Sequence, residues 1–325
     1  MKGGIIAKLD EVSRVAMRGR RPLCKSTVKT YTTWLRLFYR WAGGRPAGAW
    51  EPRDIEAFCL HLQRERYAPK SRRQALCALV YVFKHVIKKE IGELNLPMMP
   101  KEKKGIKIIP TREELGRIFS GLKGQHRVMA GIMYGAGLRV NECCQLRLKD
   151  VDFETLTLRV HEGKGGKDRL CLLPVNLVGA LQRQMAWRAA LHERDLVDGA
   201  GLVELPGRLA IKYKNAARDL GWQYLFPSAV IRGQCRWYAT PEGIQQAIAK
   251  AVRAAGIIKR ITPHTLRHAY CTHSLRAGND IATVRERMGH ETLETTLTYA
   301  HGDVALGVSP LDAGDVRPLR MVLEF

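Results

Sequence analysis

The chain has 325 residues, more than one hydrophobic core usually organises. Its composition, with 46% hydrophobic and 26% charged residues, excludes a fibrous or disordered protein. Two domains are therefore expected. Lysine and arginine outnumber aspartate and glutamate by 54 to 31, a formal net charge of +23, which predicts a polyanionic partner and above all nucleic acid.

Targeting and cofactor signals are weak in this sequence. No segment approaches the ~20 apolar residues of a membrane span, and the N-terminus lacks the apolar region of a signal peptide, so we expect a cytoplasmic protein with no membrane partner. The 8 cysteines form no Cys-x-x-Cys pair, which predicts reduced thiols. Neither a metal site nor another cofactor is expected.

Residues 1–100 predict a helical domain. Val28, Tyr31, Leu35 and Phe38 recur on one helix face, with Ser26 as a plausible N-cap. Two further segments before Gly92 repeat this spacing, and their apolar positions are Ile55, Phe58, Cys59, Leu62, Leu76, Leu79, Val80, Phe83 and Ile87. We therefore expect three or four packed helices.

Basic residues concentrate in this first domain and in the linker that follows it. Arg64, Lys70, Arg72 and Arg73 form a run that we interpret as phosphate contacts, the alternative being an ordinary solvated helix face. The linker, residues 101–110, ends in proline. Its basic residues include two further candidate DNA contacts, Lys103 and Lys104.

A second, mixed domain is predicted over residues 111–325. It begins at a capping box, Thr111 with Glu114. Short β-type runs at 156–160 and 169–174 flank a glycine-rich turn, which predicts a hairpin and excludes the strand–turn–helix context of a nucleotide-binding loop. Helical patterns return over 176–259, and a further helix is expected from a cap at Thr262 to Gly278. Two shorter helices, broken at Gly289-His290, precede a tail at 300–325.

Several motifs in this domain carry residues suited to phosphate chemistry. Each residue alone has an ordinary structural explanation, but their order and spacing together resemble the tyrosine recombinase (phage integrase) family. The motifs are GAGLRVNE with Arg139 and Glu142, GKGGKDR with Lys164, HTLRHAYCTHSL with His264 and Arg267, and MGHETLETTLTYAH with His290 and Tyr299.

The resemblance implies a mostly α fold, with an all-α core-binding (SAM-like) domain and an α+β catalytic domain with a small antiparallel sheet, which together clamp DNA. It also implies that Tyr299 attacks a scissile phosphate and forms a 3'-phosphotyrosine, which conserves the phosphodiester energy and requires neither ATP nor a metal.

The chemistry of phosphoryl transfer accounts for these residue types. The forked guanidiniums of Arg139 and Arg267 suit the charge on the non-bridging oxygens, and Lys164 is the best available general acid. His264 and His290 can donate hydrogen bonds or move a proton. Glu142 either orients a neighbouring basic residue or is an ordinary helix carboxylate.

One segment narrows the resemblance to integron integrases. Residues 205–228 resemble the inserted helix and following signature of that subfamily, and 307–312 resembles its ending. Such enzymes recognise folded single-stranded cassette sites through protruding bases, which Trp222 and Tyr224 are placed to stack on, the alternative being a small apolar cluster. Trp237 and Tyr238 stand where many relatives carry a histidine pair.

The resemblance also predicts a homo-tetramer on DNA. The tail at 300–325 carries the apolar residues Val304, Leu306, Val308 and Leu311, which predict that it docks on a neighbouring protomer. Three other interpretations remain open: a phage or Xer-type recombinase acting on duplex sites, a monomeric type IB topoisomerase, and a DNA-binding protein without activity.

Overall fold

The structure is a computed structural model that describes residues 23, 25–96, 108–161, 168–205, 212–213 and 215–289. Two compact units divide the chain, Met1–Gly105 and Ile106–Phe325, and each is built around its own hydrophobic core. No helix within the described ranges is long and apolar enough to cross a membrane.

The first unit contains the helices α1 (Lys25–Trp41), α2 (Pro52–Arg64) and α3 (Pro69–Val82), and α3 continues into a π-helical turn at Phe83–Ile87. The predicted helical faces are confirmed, since their main apolar residues are buried. Trp50 completes this core: its ring is fully buried edge-on against Phe38, with 4.9 Å between centroids. The helix α1 begins at Lys25, so Ser26 lies inside the helix and is not its cap.

Helices dominate the second unit as well. They are α4 (Arg112–Gly121), α5 (Gly124–Gly135), α6 (Val140–Gln145), α7 (Val178–Val197), α8 (Pro241–Ala254), α9 (Pro263–Arg276) and α10 (Ile281–Met288). The capping box that predicted the start of this unit is present, because Thr111 accepts the Glu114 amide and Glu114 accepts the Thr111 amide in return.

Two small antiparallel sheets accompany these helices. The predicted hairpin is confirmed as β2 (Thr157–Val160) paired with β3 (Arg169–Leu172), and β1 (Val151–Asp152) adds a third strand. The second sheet pairs β4 (Pro227–Arg232) with β5 (Cys235–Tyr238). The helical prediction for 176–259 holds for α7 and α8 but is wrong for β4 and β5, because this bulged hairpin lacks the regular apolar alternation that identifies a strand.

The helix α9 carries candidate site residues, and its ends agree with the sequence. Thr262 caps the N-terminus and Pro263 is the first helical residue, while the turn that follows contains Gly278 with φ +84°. The helix packs on α5, and α10 packs against β3 and is followed by its C-cap Gly289, where φ is +60°. Of the predicted inserted helix, the described residues show a short 3-10 turn, Leu220–Trp222, and residues 206–211 and 214 lie outside them.

Candidate functional site

The Glu142 carboxylate is the centre of a cluster of arginines. Gly137, with φ +68°, turns the chain so that Arg139 immediately precedes α6. The backbone N–H of Arg139 donates to Glu142 Oε2 at 2.8 Å, and its Nη1 donates to Oε1 at 2.7 Å. The capping interaction of a helix start therefore also fixes the direction of the Arg139 side chain.

Arg267 reaches the same carboxylate from α9. Its side chain is almost fully buried, and its Nη1 lies 3.9 Å from Glu142 Oε2. The guanidinium donates to the carbonyl oxygens of Gly137 and Met288. The two arginines predicted to bind phosphate are thus brought together by the fold, although they are far apart in sequence.

Arg169, at the start of β3, is a member of this cluster that the sequence analysis did not single out. Its Nη1 and Nη2 donate to the two oxygens of Glu142 at 3.0 and 2.6 Å, the bidentate geometry typical of strong arginine–carboxylate pairs. The only signal in the sequence was its position in the GKGGKDR motif, which identified Lys164.

The C-terminal end of α10 is held by these same arginines. Three successive carbonyl oxygens, those of Arg287, Met288 and Gly289, accept hydrogen bonds from Arg169, Arg267 and Arg139 respectively. Cations at a helix C-terminus satisfy its unpaired carbonyls and interact favourably with the helix dipole. The backbone that leads directly into His290 is therefore fixed by the arginine cluster.

These contacts control the ionisation of Glu142. Burial raises the pKa of this carboxyl, but the hydrogen bonds and positive charges of Arg169, together with the hydrogen bonds from Arg139, outweigh it and lower the pKa to about 2. Glu142 is therefore ionised at neutral pH and is a permanent counterion for the cluster.

The other predicted catalytic residues are only partly described. His264 lies exposed on the first turn of α9, one turn before Arg267, and its ring is 4.0 Å from that of His268. Lys164, His290 and Tyr299 lie outside the described residues, as do Lys103, Lys104 and the tail at 300–325.

The base of the turn that carries Lys164 is described. His161 Nδ1 lies 3.0 Å from Asp168 Oδ2, and its Nε2 lies 3.0 Å from Asp150 Oδ1. The imidazole thus links the two ends of the β2–β3 turn to each other and to the end of a short 3-10 helix. These contacts fix the two positions from which the turn departs.

The predicted base-stacking residues differ in their surroundings. Tyr224 is buried in a small apolar cluster, and the guanidinium of Arg147 covers its ring at 4.7 Å from the centroid, which matches the packing alternative. Trp222 is half-buried, with Lys149 over its ring. Trp237 and Tyr238 lie half-buried on β5, and Tyr238 packs edge-on against Tyr224.

A cavity of about 640 Å³ lies beside Trp222. Its lining combines aromatic and polar side chains, from Lys149, Tyr213, Asn215, Ala216, Asp219 and Trp222. Tyr213 is 45% exposed and was not identified from the sequence, where it appeared only as part of the inserted segment. The cavity therefore offers an aromatic surface and a cation, which suit a planar, electron-rich group.

Buried polar side chains hold this segment against α7. The fully buried Arg188 donates from Nε to the Tyr224 carbonyl oxygen and from Nη2 to Gln223 Oε1. Asp195 and Arg236 form a buried bidentate ion pair that joins α7 to β5. The position of the aromatic residues is thus set by specific hydrogen bonds and not by apolar packing alone.

The basic residues of the first unit also differ from one another. Arg64, Lys70 and Arg73 are exposed, as phosphate contact would require. Arg72 is only 6% exposed and donates to Gln63 Oε1 at 2.8 Å, a bond between α3 and α2. A phosphate contact by Arg72 would require its side chain to leave this buried position. The three exposed residues are therefore the better candidates for phosphate contact.

Models of known protein families match both parts of the chain. The model of the phage integrase family matches residues 111–305, and that of the phage integrase N-terminal SAM-like domain matches residues 9–93. The chain belongs to the phage integrase family. The predicted family and fold class are therefore confirmed.

Individual relatives extend this result. An "Integrase/recombinase" from Escherichia coli is 37% identical over 300 residues, and the match covers 88% of each chain. The "Tyrosine recombinase XerA" of Thermococcus onnurineus is 33% identical over 286 residues, and the match covers 87% of this chain and 86% of that relative. These relatives support a tyrosine recombinase, and they leave the integron, Xer and phage types equally compatible with the chain.

Solved structures share the fold. A lambda integrase dimer bound to a COC' core site has a TM-score of 0.60 at 15% identity, and the match covers 98% of this chain and 99% of that chain. The Tn1549 transposon integrase in complex with transposon right end DNA also has a TM-score of 0.60, at 19% identity, covering 90% and 94%.

Proposed function

We propose that this integrase is a site-specific DNA recombinase that cuts and rejoins strands through a covalent link to Tyr299. The observation that carries the proposal is the convergence of Arg139 and Arg267 on Glu142, with His264 one helical turn from Arg267. Two guanidiniums so placed can meet the two non-bridging oxygens of a phosphate, where charge accumulates in the transition state.

The proposed reaction is an in-line displacement at phosphorus. The phenolic oxygen of Tyr299 forms a bond to phosphorus while the bond to the 5'-oxygen breaks, which leaves a 3'-phosphotyrosine and a free 5'-hydroxyl. The phenolic proton of Tyr299 passes to His264 or His290, which also donate hydrogen bonds to the phosphate, and Lys164 donates the proton that the departing 5'-oxygen needs. Rejoining reverses these steps with the 5'-hydroxyl of another strand, so neither ATP nor a metal enters the balance.

For the substrate we propose folded single-stranded cassette sites, as in integron integrases, which the enzyme integrates or excises. The cavity beside Trp222 supports this choice, because a base that protrudes from a hairpin needs an aromatic surface such as Trp222 and Tyr213 provide. Trp237 and Tyr238 lie on β5 next to this region and remain candidates for further contacts.

The second candidate is an Xer or phage type that acts on duplex sites. The 33% identity to an XerA recombinase over most of the chain favours it. The two candidates share the catalytic chemistry and differ in the DNA that they accept. In either case we propose a homo-tetramer on DNA, with the tail at 300–325 contacting a neighbouring protomer and with Arg64, Lys70, Arg73, Lys103 and Lys104 contacting phosphates.

Covalent trapping tests the function. Because the target site is unknown, we would use pools of randomised DNA, one of nicked duplexes and one of nicked hairpins, and recover the complexes that survive denaturing detergent. Tyr299→Phe is the control, since it removes only the nucleophilic oxygen. Tyr299-dependent complexes on hairpins support the integron type, and complexes on duplexes alone support the Xer or phage type. Their absence from both pools contradicts the recombinase.

A further inference from the structure

We propose that Arg169 is a positioning residue for strand cleavage: it neutralises Glu142, so that the charges of Arg139 and Arg267 remain available to the scissile phosphate. The proposal rests on the recombinase function and adds to it a residue that is not among the predicted catalytic set. Arg169 itself is not required to touch DNA. It acts on the two arginines through the carboxylate that all three share.

The hydrogen bonds that Glu142 accepts are distributed over its two carboxylate oxygens. Oε1 accepts from Arg139 Nη1 and Arg169 Nη1, and Oε2 accepts from the Arg139 backbone N–H and Arg169 Nη2. A carboxylate offers about four lone-pair positions, so these bonds saturate it. Arg267 remains outside this set, with Nη1 at 3.9 Å from Oε2.

The charges of Glu142 and Arg169 explain why this distribution of hydrogen bonds matters. Glu142 and Arg169 are both nearly buried, with side chains 8% and 10% exposed, so solvent screens their charges poorly. The described cluster sets one carboxylate against three guanidiniums, which leaves it a net charge of +2. Without Arg169 this net charge falls to +1, and the vacated lone pairs would draw Arg267, now 3.9 Å away, towards the carboxylate and away from a phosphate.

Arg169 also fixes the backbone before His290. Its Nε donates to the Arg287 carbonyl oxygen at 3.0 Å, and its side chain lies against Gly289, where an added Cβ would approach Arg169 Cδ to 3.1 Å. A lysine retains the charge but cannot make this bond together with a bidentate pair to Glu142, because it lacks the planar fork of donors.

A neutral substrate distinguishes this role from a purely structural one. In a DNA with a methylphosphonate at the scissile position, a methyl group replaces one charged non-bridging oxygen. Its transition state therefore carries less negative charge and needs less positive charge from the arginines. The experiment measures the rate of covalent complex formation on this DNA and on the normal phosphodiester, using a site recovered by covalent trapping. The variants are Arg169→Gln, Glu142→Gln, their combination, and the control Arg159→Gln, which removes an exposed charge from the paired strand β2.

We expect Arg169→Gln to slow cleavage of the phosphodiester by about 10- to 100-fold, the scale of a misplaced catalytic group. On the methylphosphonate the same variant should be slowed by less than about threefold, because the lost charge matters less there. The double variant restores the charge balance and should cleave the phosphodiester faster than Arg169→Gln alone. Arg159→Gln should keep the wild-type ratio of the two rates.

Equal slowing on both substrates, or a double variant no faster than Arg169→Gln, would overturn the proposal. Thermal unfolding of each variant shows whether it folds. If Arg169→Gln does not, Arg169→Lys takes its place: it retains the charge, so its loss should be smaller and equal on the two substrates, and a loss confined to the phosphodiester would overturn the proposal. A wild-type chain that forms no Tyr299-dependent complex contradicts the proposed function instead, so the two failures are distinguishable.

Discussion

A single methyl group at Gly137 is expected to damage both the fold and the candidate site. Gly137 has φ +68°, and an added Cβ would lie 2.6 Å from Tyr270 Cε1 and also overlap Cδ1 of that ring. The left-handed backbone costs a residue with a Cβ about 1–2 kcal/mol, and overpacking costs about 1–3 kcal/mol more. Gly137→Ala should therefore lower the free energy of unfolding by about 2–5 kcal/mol.

Gly233 provides the matched control. Its φ is +61°, but an added Cβ would meet no atom within 4 Å, so Gly233→Ala incurs the backbone cost alone. Urea unfolding of the full chain, followed by circular dichroism, gives both values, and Gly137→Ala should exceed Gly233→Ala by about 1–3 kcal/mol. Equal losses would refute the steric argument. Because Arg267 donates to the Gly137 carbonyl oxygen, strand cleavage should also fall in Gly137→Ala and not in Gly233→Ala.

Three further predictions concern charged groups. The pKa of Glu142 is lowered from 4.5 to about 2, so its stabilisation is complete above the unfolded value and is lost as the pH falls towards the folded one. Between pH 7 and pH 3 this loss is about 2 kcal/mol, and urea unfolding of Glu142→Gln across this range should lack it. Asp195→Asn leaves Arg236 as a buried cation and should destabilise by about 3–5 kcal/mol in thermal or urea unfolding, whereas replacing both with apolar residues should cost much less. Lys70→Gln and Arg73→Gln should each reduce the slope of log affinity against log salt by about 1 in DNA titrations, and an unchanged slope would exclude phosphate contact by that residue.

Much of this fold could be predicted because its signals are local. Thr111 and Thr262 begin their helices exactly where a capping residue precedes an apolar repeat, and the β2–β3 hairpin follows from two short strands around glycines. The hairpin of β4 and β5 escaped prediction, since pairing between two short strands without a regular apolar alternation is not visible in the pattern of either strand.

The sequence predicted only those residues of the candidate site that the family motifs single out. The order of Arg139 and Arg267 in the chain identified them, but the role of Arg169 depends on contacts with residues 27 and 118 positions away. The burial of Arg72 and Tyr224 also could not be predicted. The sequence presented them as candidate DNA contacts, but neighbouring residues enclose both side chains in the fold. Local patterns give residue types and spacing, whereas the sharing of a carboxylate between distant segments requires the folded chain.

The arrangement around Glu142 has a consequence for how such a site can evolve. Guanidiniums from three separate segments depend on one carboxylate, and each also binds a carbonyl oxygen at the end of α10. A change at Glu142 is therefore felt at three positions at once, and a change at any one arginine alters the charge that the other two experience. We expect these four positions to vary together among descendants of this chain, while the exposed residues around them drift independently.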